Sequence, residues 1–114
     1  MAGAAPAPGA AGRTAIIVVD PGSGPALCPF FGKCDGVILI NGADGSSEFR
    51  RNEHKTADAI CDLLLRLRPE RVVCGYIGAA ETQRLRAAGI DVRLGSCTCP
   101  IDELAACCCD LPKA

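Results

Sequence analysis

The chain has 114 residues, with 12 lysines and arginines against 13 aspartates and glutamates and a net charge of −1 at neutral pH. That length accommodates one domain, and dispersed basic residues with only 4% aromatics exclude the clustered charge and stacking surface of a nucleic-acid binder. No stretch approaches the roughly 18 consecutive apolar residues of a membrane span.

Residues 1–13 consist of alanine, glycine and proline apart from Met1 and Arg13. They read as a flexible tail, lack the basic start and apolar stretch of a secretory signal, and point to a soluble cytoplasmic protein. Nine cysteines are then the outstanding feature. At about 8–10% cysteine a secreted chain is a disulfide scaffold; in the cytosol the same abundance, here an odd number, reads as metal binding or redox chemistry.

In chain order, residues 14–20 (Thr-Ala-Ile-Ile-Val-Val-Asp) form a β-branched apolar run stopped by Pro21 and Gly22, the pattern of a strand buried on both faces. A Gly/Pro-rich loop follows to Asp35, then a second strand over 36–41. Ala43-Asp44-Gly45 is a hairpin turn leading to a third, charged strand at 47–51 that suits a sheet edge. Ala57, Ile60, Cys61, Leu64 and Leu65 recur at helical steps, predicting an amphipathic helix over 54–67 closed by Pro69. A short buried strand at 71–74 breaks at Gly75-Tyr76-Ile77-Gly78, a helix spans 79–88 with Gly89 as its stop, a fifth strand covers 90–94, and a last helix runs from Pro100 to Cys109.

This order is mixed α/β: a five-stranded sheet flanked by helices. Helical crossovers make the fourth and fifth strands parallel to the first, so their C-terminal ends share the edge at which such folds bind ligands. Cys28, Cys34, Cys74, Cys97 and Cys99 are expected to converge there, with His54 nearby.

Pro29-Phe30-Phe31-Gly32-Lys33, Asn52-Glu53-His54 ahead of a helix, Val72-Val73-Cys74-Gly75-Tyr76-Ile77-Gly78 and Leu85-Arg86-Ala87-Ala88-Gly89-Ile90-Asp91-Val92 occur in an order that resembles the nitrogenase iron-molybdenum cofactor accessory family, which includes NifX, NafY and the C-terminal part of NifB. The resemblance covers residues 14–106 as a NifX/NafY-like domain and leaves 107–114 as a cysteine-rich tail. It implies a ribonuclease H-like fold and a protein that binds or carries iron-sulfur or iron-molybdenum cluster precursors and is not an enzyme. Family members commonly carry His-Phe-Gly-basic in the first loop; Phe30 stands at the histidine position here. The neighbouring thiols Cys28 and Cys34 are the obvious replacements.

The ligand set itself comes from this sequence. Cys28, Cys34, Cys97 and Cys99 offer four thiolates from two loops, the number that ligates an iron-sulfur cluster or tetrahedral zinc; the plainer alternatives are small buried residues or a reversible disulfide. Cys61 and Cys74 sit in apolar patterns and read as core. Adjacent helical side chains point about 100° apart, so Cys107, Cys108 and Cys109 cannot share one ion without unwinding, and they read as a second thiol site or a redox-labile end. His54 is the only histidine; it is a solvated or capping residue or an additional ligand. Lys33, Arg50, Arg51 and Lys55 form a solvated surface or attract an anionic cluster. Gly75 and Gly78 make a turn or let backbone approach a ligand.

Gly32-Lys33-Cys34 is not a phosphate loop, because Leu27 occupies the first glycine position and Cys34 that of Ser or Thr. Asp20, Asp35 and Asp44 are too dispersed for a two-metal nuclease, and no Cys-x-x-Cys stands before a helix. The expectation is a cluster-binding carrier or assembly protein with a cluster-assembly or recipient protein as partner. The alternatives are a redox-responsive thiol protein without metal and a zinc-stabilised interaction module.

Overall fold

The computed structural model describes residues 13–20, 22, 24–41, 45–96, 99–106 and 111–114. Its central strand, β1 (Arg13–Val19), carries the apolar run read from the sequence, beginning at Arg13 and so one residue into the expected tail. Side chains alternate across a strand. Ala15 and Ile17 therefore enter a core with α1 and α2, while Ile16 and Val18 enter a second, smaller one with α3.

β3 (Gly36–Asn41) pairs antiparallel with one side of β1, and β4 (Ser47–Arg51) lies antiparallel outside β3. On the other side β5 (Arg71–Cys74) and β6 (Asp91–Leu94) run parallel to β1, giving the order β4-β3-β1-β5-β6. The sheet has six strands where five were expected, because β2 (Ala26–Leu27) also pairs with β1, at Val18 and Val19. The reason is main-chain satisfaction. β5 pairs with β1 only over Thr14–Ile16, and buried carbonyls beyond that point need another partner. The returning loop supplies it: the Cys28 amide donates to Ile17 O at 2.8 Å. Two apolar residues in a Gly/Pro-rich loop carry no periodicity from which such a strand could be read.

α1 (Ala57–Leu67) buries Ile60, Cys61 and Leu64, each side chain worth about 1.5–3 kcal/mol of apolar transfer for the aliphatic pair. It starts three residues after His54 because Thr56 is its cap, accepting from the Ala59 amide at 3.1 Å. Arg68 ends it in the left-handed region, φ 52°, before Pro69. α2 (Ala79–Ala87) lies on the same face and stops at Gly89, φ +85°. α3 (Ile101–Ala106) covers the opposite face through Leu104. It is shorter than expected over the described residues; 107–110, including the three consecutive cysteines, lie outside them, as do most of tail 1–13 and the Ala43-Asp44 part of the hairpin turn. Residues 111–114 return to the outer side of β6, where the Leu94 amide donates to Pro112 O at 2.8 Å and the Ala114 amide to Val92 O at 3.0 Å.

The loop after β2 wedges between the diverging ends of β1 and β5. Tyr76 donates its amide to Pro29 O (2.8 Å) and accepts from the Phe31 amide (2.9 Å). Gly75 is required by this contact: a Cβ there would lie 2.7 Å from Cys28 O and 2.8 Å from Pro29 O. Gly75→Ala is expected to destabilise the fold by about 1–3 kcal/mol, the usual range for forcing an extra carbon into packed backbone. A denaturation midpoint equal to the wild type's would contradict the wedge.

Candidate functional site

The loops after β1, β5 and β6 meet at the C-terminal edge of the parallel strands, as the topology predicts. The hydrogen bonds between Tyr76 and Pro29 join the first two, and the Gly95 amide donates to Cys74 O at 2.9 Å to join the third. The turn carrying His54 belongs to the same end, since Lys55 Nζ pairs with Asp35 Oδ1 at 2.9 Å. His54 itself is exposed.

The loops converge, but the thiols divide. Cys28, Cys34 and Cys74 are buried in the core beneath α1 and α2, whereas Cys99 is half-buried against the second core on the other side of the sheet. The chain changes face at Gly95, where a Cβ would lie 2.8 Å from Leu104 and 3.2 Å from Val73. Cys97 lies outside the described residues. Among the described residues, no three His, Cys, Asp or Glu side chains are grouped to hold a metal ion. Of the described thiols expected to converge, Cys28, Cys34 and Cys74 share one core without forming a ligand group, and the sheet separates Cys99 from them.

Burial also sets the state of the thiols. Desolvation pushes Cys34 up to about 11, against a hydrogen bond from Asn52 Nδ2 at 3.6 Å that favours the thiolate. Desolvation likewise pushes Cys61 up to about 11 and Cys74 up to about 12. Cys28 donates to Phe30 O at 3.1 Å. Asn52, itself buried, also donates to Cys34 O at 3.2 Å and ties the loop to the end of β4. Asp35 is held below the ordinary carboxylate range by the Asp20 amide and by Lys55.

The edge presents two aromatic rings to solvent among residues of both charges, Lys33 and Lys55 with Asp20, Glu53 and Glu81. Phe30 and Tyr76 are 55% and 69% exposed and meet edge to face, with ring centroids 6.5 Å apart. One cavity of about 240 Å³ is lined by Phe30, Lys33, Ala57, Tyr76, Gly78 and Glu81. Another of about 680 Å³ lies among Pro29, Gly75, Tyr76, Thr82, Arg86 and Leu94. Lys33 and Gly78 thus line the site; Gly75 lines it too, although its missing Cβ is explained by the wedge. A further depression of about 670 Å³ lies around Arg13, Arg66 and Pro69, beside the chain leading into β5, and holds none of the residues singled out from the sequence. Sequence reasoning did not select Phe30 and Tyr76 as site residues. The available signal for Tyr76 was an aromatic in a Gly-flanked turn directly after a buried strand.

The dinitrogenase iron-molybdenum cofactor family model matches residues 13–108. The chain belongs to that family. No curated protein sequence matches it significantly. Among solved structures, the apo form of the orange protein from Desulfovibrio gigas is similar with a TM-score of 0.79 at 23% identity, over 90% of this chain and 92% of that one. The structure of a protein from Thermotoga named as a NifB candidate is similar with a TM-score of 0.70 at 18% identity, again over 90% and 92%. At these identities the two likenesses establish the mixed α/β fold of this family member and nothing further. No helix of its described residues is long and apolar enough to cross a membrane.

A thiol that keeps its proton more tightly when folded stabilises the fold at low pH and loses that contribution as pH rises, because the unfolded chain ionises first. Cys34, Cys61 and Cys74 have folded values of about 11 to 12 against an ordinary 9.0. Their stabilisation is whole below pH 9 and declines as pH climbs from there through 11 to 12. Urea midpoints at pH 8 and pH 10 should therefore fall with pH, and the fall should shrink in Cys74→Ala measured against its own pH 8 value. Midpoints independent of pH would contradict the burial of these thiols.

Proposed function

We propose that this protein binds an iron-sulfur or iron-molybdenum type cluster, or a precursor of one, as cargo at the C-terminal edge of its sheet. It then hands the cargo to a cluster-assembly or recipient protein, and it acts as a carrier, not an enzyme. The observation that carries this reading is the family match over 13–108, which includes every loop of that edge. The sheet order, with β3 antiparallel to β1 and β5 and β6 parallel to it, supports taking the fold as ribonuclease H-like.

The chemistry of the edge supports a cargo of this kind. Metal-sulfur clusters are polarisable and in their common states anionic, and Lys33 contributes positive charge beside two exposed rings. Gly78 precedes α2 without a side-chain cap, and the Glu81 carboxylate lies beside it, so an anionic cargo reaches the first amides of α2 only where Glu81 turns away. Of the thiols proposed as ligands, Cys97 and Cys99 belong to the loop that leaves this edge. Cys28 and Cys34 join them only when the loop between them opens, with metal taking the place of the proton on each sulfur. His54, exposed at the same end, is the further ligand. The redox alternative has less support. High thiol pKa values at Cys34, Cys61 and Cys74 oppose redox cycling through these thiolates.

Anaerobic reconstitution with iron and sulfide, followed by metal analysis and absorption spectroscopy, tests the reading. Wild type and Cys61→Ala are expected to take up iron with charge-transfer absorption, and a Cys97→Ala/Cys99→Ala variant to lose it. Lys33→Ala should weaken retention about fivefold, the effect of about 1 kcal/mol expected for an exposed charge. A wild type that stays colourless and iron-free contradicts iron-sulfur cargo; a signal unchanged in every variant places the cargo elsewhere.

A further inference from the structure

The two edges of the sheet are finished differently. The outer side of β6 is covered by residues 111–114 through main-chain hydrogen bonds. Along the outer side of β4 no strand is paired among the described residues, and all five of its residues are exposed. An open edge offers a row of N–H and C=O groups to another strand.

Which groups face outward follows from the ladder to β3. The Asn41 amide donates to Ser46 O at 2.8 Å and the Asn52 amide to Asp35 O at 2.9 Å, in the register that sets Ile38 opposite Phe49. Neighbouring residues of an antiparallel strand address opposite neighbours. Ser46, Glu48, Arg50 and Asn52 therefore bond towards β3, while Ser47, Phe49 and Arg51 direct their N–H and C=O groups away from it.

We propose that β4 pairs antiparallel with β4 of a second copy of this chain about a two-fold axis at Phe49, joining two sheets into one. In that register Phe49 faces Phe49 of the copy, and Ser47 faces Arg51 in both directions. The three residues with outward main-chain groups are thus the three that pair. Glu48 falls opposite Arg50 of the copy at the non-hydrogen-bonded positions, where cross-strand side chains approach most closely. Within one chain the same two side chains already meet at 2.6 Å, so they lie on one face and can exchange partners without leaving it.

The order of charges selects this register. Sliding the copies by two residues, the smallest step that keeps the outward groups paired, sets Glu48 against Glu48 or Arg50 against Arg50. Like charges directly opposite are destabilising. Phe49 gives the pair its apolar centre: it is 51% exposed, and its ring occupies the space over Gly36, where a Cβ would come within 2.6 Å of it. Pairing covers the exposed side of that ring with its counterpart. A strand from a different protein could use the same main-chain groups, but the two-fold complementarity of Ser-Glu-Phe-Arg-Arg favours a second copy.

Sedimentation equilibrium of the full chain over roughly 5–500 µM, the range in which an interface of one strand pair is populated or lost, tests this. Wild type is expected to pass from the mass of one chain to that of two. Glu48→Arg alone and Arg50→Glu alone should each weaken the dimer by about tenfold or more, and the double variant should restore it, with circular dichroism confirming that all four proteins are folded. A wild type that is monomeric throughout overturns the proposal. So does a dimer indifferent to the single reversals, or one that the double reversal fails to recover.

Discussion

The structure depends on the insertion of one loop between two strands. β1 and β5 part beyond Ile16, and the segment from Ala26 to Phe31 fills the gap, paired with Val18 and Val19 and hydrogen-bonded through its main chain to Ile17 and Tyr76. The loop is part of the sheet and not an appendage to it. Leu27 and Cys28 enter opposite cores, and Gly75 must lack a side chain because the carbonyls of Cys28 and Pro29 occupy its space.

The same insertion decides what the edge can offer a ligand. By drawing Cys28 and Cys34 into the core it leaves the Cys34 sulfur protonated and brings Phe30, Lys33 and Tyr76 to the surface. The proposed carrier role is served by such an arrangement. A cargo held first by an exposed, weakly binding edge can be released, whereas one enclosed by four preformed thiolates is kept. Ligation by Cys28 and Cys34 would then require the loop to leave its place in the sheet, and pickup and release would be coupled to that opening.

The long elements were legible because their burial is periodic. The run from Thr14 to Val19 is apolar at every position after the first and lies between two cores; Ile60, Cys61 and Leu64 recur at helical spacing and form the buried stripe of α1. Local chemistry fixed the ends less well. His54 was assigned to a helix that Thr56 in fact caps, and β2 was missed because two residues cannot display a period. Family membership was legible from ordered motifs with no periodic content, among them Pro29-Phe30-Phe31-Gly32-Lys33 and the Gly-Tyr-Ile-Gly turn. The division of the thiols was not. Topology brings loops to an edge but does not say to which face a chain turns on leaving it, and Gly95 turns the third loop away from the first.

Amide hydrogen exchange on the anaerobic protein, with and without a reconstituted iron-sulfur cluster, tests whether the proposed cargo is met at the edge built by the inserted loop. Added protection is expected at residues 29–34, 75–79 and 95–99, with little change at 65–70 and 88–90. Protection confined to that second group, or to the strands of the core alone, would contradict it.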